Sequence, residues 1–259
     1  MGEAKRRRLS NAERLAMAQG CIYCGGSTPA TTLDHMPPRG VFSAKLRPKG
    51  LEFPCCDRCN AGTKTTDQVV ALMSRISPDA STAEGIAEVR KYLRGVANNE
   101  PGLLEEMAGS PEWRKAAAGR VPAGQHPLYC GGPRVSRHME RFAAKFGFAM
   151  HVELTGQPVG PSGGVAARWY SNADVYESKF PMEVWNVLGE PVTLRQGKFH
   201  VSEQFEYAWA IGEDGSMGMF IGTFRESFAV LAFTSTGARE AFDNPPVPLR
   251  LWRPGSLAH

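Results

Sequence analysis

Two cysteine pairs with the same spacing determine how the first part of the chain folds: Cys21-Ile22-Tyr23-Cys24 and Cys56-Asp57-Arg58-Cys59. A turn of the C-x2-C type directs both thiolates at one ion, and two such turns supply the four ligands of a tetrahedral zinc site. Zinc would close the loop of residues 25–55, a segment too small to build a large core alone. We therefore predict one structural zinc ion bound by Cys21, Cys24, Cys56 and Cys59.

The same region allows other arrangements of the thiols. Cys55 would give a C-x3-C spacing in place of Cys56, although two equal x2 turns favour Cys56. Two disulfides or buried free thiols are the alternatives to zinc. We expect Cys55 and Cys130 to be small buried hydrophobic residues.

Between the two pairs lies a short polar motif, residues 31–40, which reads TTLDHMPPRG. Its β-branched and apolar residues predict a short strand that ends at Asp34 and His35. The two prolines that follow end the strand and start a loop. After the second cysteine pair comes Asn60, and apolar periodicity predicts a helix over residues 67–76.

The order C-x2-C, Asp-His-x-Pro-Pro, C-x2-C-Asn resembles that of the zinc-bearing HNH endonucleases, which have the ββα-metal fold. It is most similar to the bacterial subgroup in which a basic residue and then a Phe follow the two prolines. In this chain Arg39 and Phe42 occupy those positions. The resemblance covers about residues 20–78. It implies a zinc ion that is structural only, because four thiolates leave it no open coordination position.

The resemblance also implies a role for each polar residue of the motif. His35 would be the general base that deprotonates the attacking water, since a neutral imidazole is a competent base near pH 7. Asp34 and Asn60 would hold one catalytic divalent cation, Mg²⁺ or Mn²⁺, through hard oxygen ligands. Arg39 and Lys64 are candidate contacts to the substrate phosphate.

One position departs from the family pattern. The family usually carries a polar residue, often Asn, about five positions before the second cysteine pair, where this chain reads Lys49-Gly50-Leu51-Glu52-Phe53. Another group would then have to brace the loop behind His35.

Positive charge is concentrated at the front of the chain. Residues 1–64 hold eleven Lys or Arg and five Asp or Glu, a formal charge of +6, whereas the rest of the chain carries −2. The run Lys5, Arg6, Arg7 and Arg8 favours a polyanionic partner, which we expect to be nucleic acid. A solvated basic tail is the alternative for this run.

The composition excludes several classes of protein. With 42% hydrophobic and 22% charged residues over 259 positions, the chain resembles an average globular protein and neither a collagen nor a disulfide-rich miniprotein. No apolar run reaches the roughly 18 residues of a membrane span, and no apolar signal region follows the basic N-terminus. We therefore expect a cytoplasmic protein with no membrane partner; a homo-oligomer is compatible with the sequence.

The predicted fold class is α+β, in four segments. They are a basic tail with a short helix (1–19), the ββα-metal HNH module (20–78), a helical connector (79–132) and an accessory α+β domain for targeting or sensing (133–259). In the last segment we predict a helix that stops at Gly147, followed by an antiparallel sheet. Its predicted strands are 148–154, 168–170, 199–204, 207–211, 217–224 and 228–233.

The function predicted from these features is a metal-dependent HNH endonuclease that cuts DNA. There are two alternatives. One is a zinc module that binds nucleic acid without cutting it. The other is a nuclease that acts on RNA, since a site of this kind contacts a phosphate and not the sugar. A role in bacterial defence is implied by the resemblance alone.

Overall fold

The computed structural model describes residues 10–43, 46–76, 83–119, 127–196, 199–237 and 249–258. The helices are α1 (Asn11–Ala16), α2 (Asp57–Met73), α3 (Ala83–Asn99), α4 (Leu103–Ala108), α5 (Pro111–Ala118), α6 (Pro133–Thr155) and α7 (Asn172–Tyr176). The strands are β1 (Thr32–His35), β2 (Glu52–Cys55), β3 (Gly164–Ser171), β4 (Val192–Thr193), β5 (Arg195–Gln196), β6 (Phe199–His200), β7 (Glu206–Ile211), β8 (Met217–Phe224), β9 (Phe228–Ser235) and β10 (Arg250–Trp252).

A β-β-α unit forms the N-terminal part of the fold. Strands β1 and β2 pair antiparallel, with Thr32 opposite Cys55 and His35 opposite Glu52. Strand β1 is the strand that the sequence predicts to end at Asp34 and His35. Helix α2 begins directly after Cys56, ten residues earlier than the predicted start. The buried residues of these first turns are Cys59, Thr63 and Thr66. They do not form an apolar stripe in the sequence, so apolar periodicity does not detect the start of the helix.

A six-stranded antiparallel sheet forms the C-terminal part, with strand order β10-β3-β9-β8-β7-β4. Residues 212–215 read Gly-Glu-Asp-Gly, a sequence that predicts a hairpin turn. They connect β7 to β8, and the Gly212 amide donates to the Met217 carbonyl at 3.0 Å. The α+β fold class is therefore confirmed. The strand predicted over 199–204 is shorter, because only Phe199 and His200 pair, and a turn follows in which the Gln204 amide donates to the Val201 carbonyl.

The helix predicted to stop at Gly147 continues to Thr155, so the strand predicted over 148–154 is wrong. Gly147 lies where α6 crosses the sheet: a Cβ atom there would be 2.5 Å from Cγ1 of Val165 and 3.0 Å from Cβ of Ala232. The glycine thus permits close helix–sheet packing and does not end the helix. Gly156, with a φ of 77°, takes the left-handed position after the last turn.

One continuous cluster of buried side chains joins the two parts of the molecule. It includes Cys21 and Phe53 from the β-β-α unit, Phe142 and Phe146 from α6, and Leu257 near the C-terminus. Helix α6 packs against α2 as well as against β3 and β9. The sequence segments 20–78 and 133–259 therefore share a core. Among the described helices, none is both long enough and apolar enough to cross a membrane.

Candidate functional site

Four buried cysteines converge at one end of the β-β-α unit. The Sγ atoms of Cys21, Cys24, Cys56 and Cys59 all lie within 4.8 Å of one another, and none of the four forms a disulfide. Tetrahedral zinc with Zn–S bonds of about 2.3 Å would place its sulfurs about 3.8 Å apart. The Cys24 sulfur lies 3.9 Å from that of Cys56 and 3.5 Å from that of Cys59, so the cluster can bind a metal ion such as zinc.

The backbone brings each cysteine pair into this cluster. A 3-10 turn over Ile22–Cys24 is followed by Gly25, whose φ of 63° is left-handed, and the Gly26 amide donates to the Cys21 carbonyl at 3.0 Å. The second pair enters at the N-cap of α2, which Cys56 occupies.

Cys55 lies in β2, outside the four-sulfur cluster, so the choice of Cys56 over Cys55 agrees with the geometry. Burial, together with the nearby Asp34 carboxylate, raises the pKa of Cys55, which keeps its thiol protonated. Cys130 is only partly buried, contrary to the expectation from the sequence.

His35 is the last residue of β1 and is half-buried. Removal from water lowers the pKa of His35 to about 4, and the positive charges of Arg47 and Arg39 act in the same direction. The imidazole is therefore neutral at pH 7 and can accept a proton.

Glu52 and Arg47 brace the loop between β1 and β2. The Glu52 carboxylate, on the strand opposite His35, accepts from Nη1 of Arg47 at 2.7 Å and from the Gly50 amide at 3.0 Å. Arg47 also donates from Nη2 to the Leu51 carbonyl at 3.0 Å. Glu52 and Gly50 lie in the stretch 49–53, where the sequence departs from the HNH pattern. The charged Glu52 is the sequence signal that could have indicated this brace.

The Asp34 carboxylate points into the protein and is 4% exposed. Its Oδ2 atom accepts from the Tyr23 hydroxyl at 2.6 Å and lies 2.9 Å from Nζ of Lys145, and its Oδ1 atom accepts from the His35 amide at 2.8 Å. Nζ of Lys145 also donates to both carboxylate oxygens of Asp67, at 2.7 and 2.9 Å. Tyr23, Asp34, Asp67 and Lys145 thus form one group, which we name the internal ion cluster.

The two carboxylates of the internal ion cluster stabilise the Lys145 ammonium, but they repel each other. Burial disfavours the Lys145 ammonium, but the carboxylates of Asp67 and Asp34 outweigh that effect and raise the pKa of Lys145. Burial raises the pKa of Asp67, against the lowering effect of the ammonium. The cluster connects β1 and α2 to α6 through a charged contact in the core.

The remaining predicted residues lie on α2 and on the loop after β1. Asn60, in the first turns of α2, is half-buried and lies on the same stripe of the helix as Lys64 and Asp67. Lys64 and Arg39 are exposed and therefore accessible to a substrate. Lys5, Arg6, Arg7 and Arg8 lie outside the described residues.

A divalent cation at Asp34 does not fit this arrangement. The ion would have to share the carboxylate with an ammonium that already lies 2.9 Å from it. At an effective dielectric constant of about 20, a dication about 4 Å from an ammonium is repelled by roughly 8 kcal/mol. Asn60 alone offers one neutral oxygen, which is a weak site for a hard cation.

Of the internal ion cluster, only Asp34 is predicted from the sequence as a site residue, and Tyr23, Asp67 and Lys145 are missed. Lys145 stands alone as a charged residue in the apolar stretch from Phe142 to Phe148, a pattern typical of a buried lysine with an acidic partner. Tyr23 lies inside the first C-x2-C pair, where only the cysteines drew attention.

No protein-family model matches the chain, and no curated protein or solved structure matches it either.

Proposed function

We propose that the protein is a zinc-stabilised nuclease of the HNH type that hydrolyses phosphodiester bonds in nucleic acid, with DNA as its substrate and His35 as its general base. The observation that carries this proposal is the position of His35. It ends the first strand of a β-β-α unit that four cysteines close, beside a loop that carries Arg39. The resemblance of the motif to the HNH endonucleases supports the same function.

The residues around His35 suit the first step of the reaction. The neutral imidazole would take a proton from a water molecule as that water attacks the phosphorus atom. The P–O bond to the leaving sugar oxygen would break, and that oxygen would take a proton from the solvent. Arg39, which is exposed, would stabilise the charge that develops on the phosphate oxygens, and Lys64 would add a second positive charge along α2. Arg47 is already paired with Glu52 and would hold the loop in place.

Zinc, when bound, would cross-link the turn before β1 to the start of α2. The four thiolates fill its coordination sphere, so the ion would contribute to stability and not to the chemistry. We assign no step to a divalent cation at Asp34, because Lys145 and Tyr23 already occupy that carboxylate.

The test is a cleavage assay with full-length protein on supercoiled DNA, linear DNA and RNA, each with Mg²⁺, with Mn²⁺ and with EDTA. We expect the wild type to cut and His35→Ala to lose at least 100-fold in rate, since general-base catalysis contributes about 10²–10⁴-fold. His200→Ala is the matched control, because His200 is an exposed histidine on β6. Equal rates for wild type and His35→Ala would contradict the proposal.

A second candidate is a zinc module that binds nucleic acid without cutting it. The observation that favours it is the internal ion cluster, which leaves no free carboxylate next to His35. Binding of DNA or RNA with no cleavage under any of the three conditions would establish this candidate. Cleavage of RNA alone would instead identify an RNA-directed nuclease. The cytoplasmic location and the role in bacterial defence stay predictions from the sequence.

A further inference from the structure

We infer that the Lys145 ammonium takes the place of the divalent cation beside Asp34, so that the wild-type protein binds no Mg²⁺ or Mn²⁺ between Asp34 and Asp67. This inference deepens the proposed function by specifying which cation that site contains. It concerns cation binding, and it can therefore be tested without a substrate.

The geometry of the ammonium carries the first step of the argument. Nζ of Lys145 lies 2.9 Å from Oδ2 of Asp34 and donates to both carboxylate oxygens of Asp67, at 2.7 and 2.9 Å. An ammonium has three N–H donors and no acceptor, so two carboxylates satisfy it completely. The Lys145 ammonium is therefore surrounded by carboxylate oxygens, as a small bound cation would be. The chain itself supplies this cation.

Both carboxylate oxygens of Asp34 also accept other hydrogen bonds. The Tyr23 hydroxyl donates to Oδ2 at 2.6 Å, and the His35 amide donates to Oδ1 at 2.8 Å. Oδ2 therefore has two donors, Tyr23 and Lys145, and a metal ion bound to that atom would need to displace one of them at a residue that is 4% exposed. Replacing them costs more than the same exchange at a surface carboxylate, because a displaced buried donor finds no water.

Lys145 also has no simple way to withdraw. It lies within α6 between Ala144 and Phe146, and all three residues are fully buried. The side chain lies where α6 packs against α2, and it is fully buried. Withdrawal of the ammonium from Asp34 would therefore break its contacts with both carboxylates inside the protein, which favours the ammonium over an entering divalent cation.

The experiment measures binding of Mn²⁺ to full-length, zinc-loaded protein by calorimetry and by the thermal unfolding midpoint. For the wild type we expect no Mn²⁺ site that depends on Asp34 or Asp67, and no shift of the midpoint with Mn²⁺. Lys145→Met removes the ammonium but keeps most of the side-chain volume, which leaves two carboxylates without a cation. We expect this variant to gain a Mn²⁺ site and to unfold at a higher temperature when Mn²⁺ is added.

The matched control is the double variant Lys145→Met with Asp67→Asn, which should lose most of that Mn²⁺-dependent shift because one carboxylate is missing. If Lys145→Met does not fold even with Mn²⁺, the wild-type titration decides the question together with Asp67→Asn, a change at a half-buried position of α2. Mn²⁺ binding to the wild type that Asp67→Asn or Asp34→Asn abolishes would overturn the inference. Absence of such binding supports it.

These outcomes are distinct from failure of the proposed function. A protein that never cleaves nucleic acid would refute the nuclease proposal and leave the cation measurement standing. A protein that cleaves only with Mn²⁺ bound at an Asp34-dependent site would keep the nuclease proposal and refute the inference about Lys145.

Discussion

Nη2 of Arg225 donates a hydrogen bond to Oγ of Ser43 at 2.8 Å, which joins the turn between β8 and β9 to the loop that follows His35. The same guanidinium atom lies 3.2 Å from the Val41 carbonyl and 3.2 Å from Oε1 of Gln204. Oε1 of Gln204 accepts in turn from the Ser43 amide at 2.6 Å. The C-terminal sheet therefore holds the loop that carries Arg39.

Removal of the Arg225 guanidinium should loosen this loop. We expect Arg225→Met to lower the free energy of unfolding by about 1.5–3 kcal/mol, as for hydrogen bonds to a charged group. Hydrogen exchange of the amides in residues 39–43 should become faster. Arg58→Met, at an exposed arginine of α2, is the control. Unchanged exchange in the loop would show that other contacts hold it, among them the Arg75 guanidinium, which donates to the Gly40 and Phe42 carbonyls.

The adjacent cysteines 55 and 56 provide a test of the metal centre. Cys56→Ser should lower bound zinc well below one ion per chain and destabilise the fold, because metal binding contributes to the folding free energy. Cys55→Ser changes the neighbouring buried thiol and should retain one zinc per chain. Elemental analysis of both purified variants measures the difference. Equal zinc content in the two variants would remove Cys56 from the ligand set.

Tyr23 should stabilise the fold through its hydroxyl. Tyr23→Phe removes only the donor to the buried Asp34 carboxylate, and we expect a loss of about 1.5–3 kcal/mol in the free energy of unfolding. Tyr176→Phe is a close control, since Tyr176 is 90% exposed. Denaturant titration at constant zinc concentration measures both. A loss no larger than that of the control would mean that Lys145 and the His35 amide satisfy Asp34 without the hydroxyl.

His151 should make the protein less stable in mild acid. Burial lowers the pKa of His151 to about 4, whereas a histidine in the unfolded chain titrates near its ordinary value of about 6.5. Between these values the unfolded chain binds a proton that the folded protein does not, so stability falls as the pH decreases from about 6.5 to 4.

The change His151→Asn should make this dependence shallower by up to about 1.4 kcal/mol per pH unit within that range. The asparagine can keep a contact with Oγ1 of Thr234, which lies 2.8 Å from Nδ1 of His151 in the wild type. Unfolding titrations at several pH values measure the slope, and His200→Asn controls for the substitution itself. A slope equal to that of the wild type would show that His151 titrates alike in the folded and unfolded chains.

The basic run at the N-terminus should contribute affinity and not chemistry. Truncation of residues 1–9 removes Lys5, Arg6, Arg7 and Arg8, and we expect weaker binding to all nucleic-acid sequences with a shallower salt dependence. The cleavage rate at saturating substrate should stay the same. Binding isotherms at several salt concentrations test this, and an unchanged salt dependence would identify the run as a solvated tail.

Local sequence spacing was sufficient to predict the four-sulfur cluster, the strand that ends at His35 and the hairpin at residues 212–215. Each depends on residues close together in the chain or on one metal ion that two identical turns share. The continuation of α6 could not be predicted in this way, because an apolar stretch after a glycine is equally typical of a strand. Only the sheet packed against Gly147 explains why a glycine lies inside the helix.

The commitment of Asp34 to Lys145 depends on two distant parts of the chain. Each residue by itself is consistent with another interpretation: Asp34 as a metal ligand within its motif, and Lys145 as an exposed residue of an amphipathic helix. Their contact arises because α6 packs on α2, and the sequence motif contains no information about that packing.

The shared core has a consequence for protein engineering. A fragment limited to residues 20–78 would retain all four cysteines and His35, yet it would leave Asp34 and Asp67 without their ammonium. It would also expose Val69 and Val70, which are fully buried in the intact protein. Residues 20–78 are therefore unsuited to use as a transferable cassette, and a chimera that borrows them has to carry α6 as well.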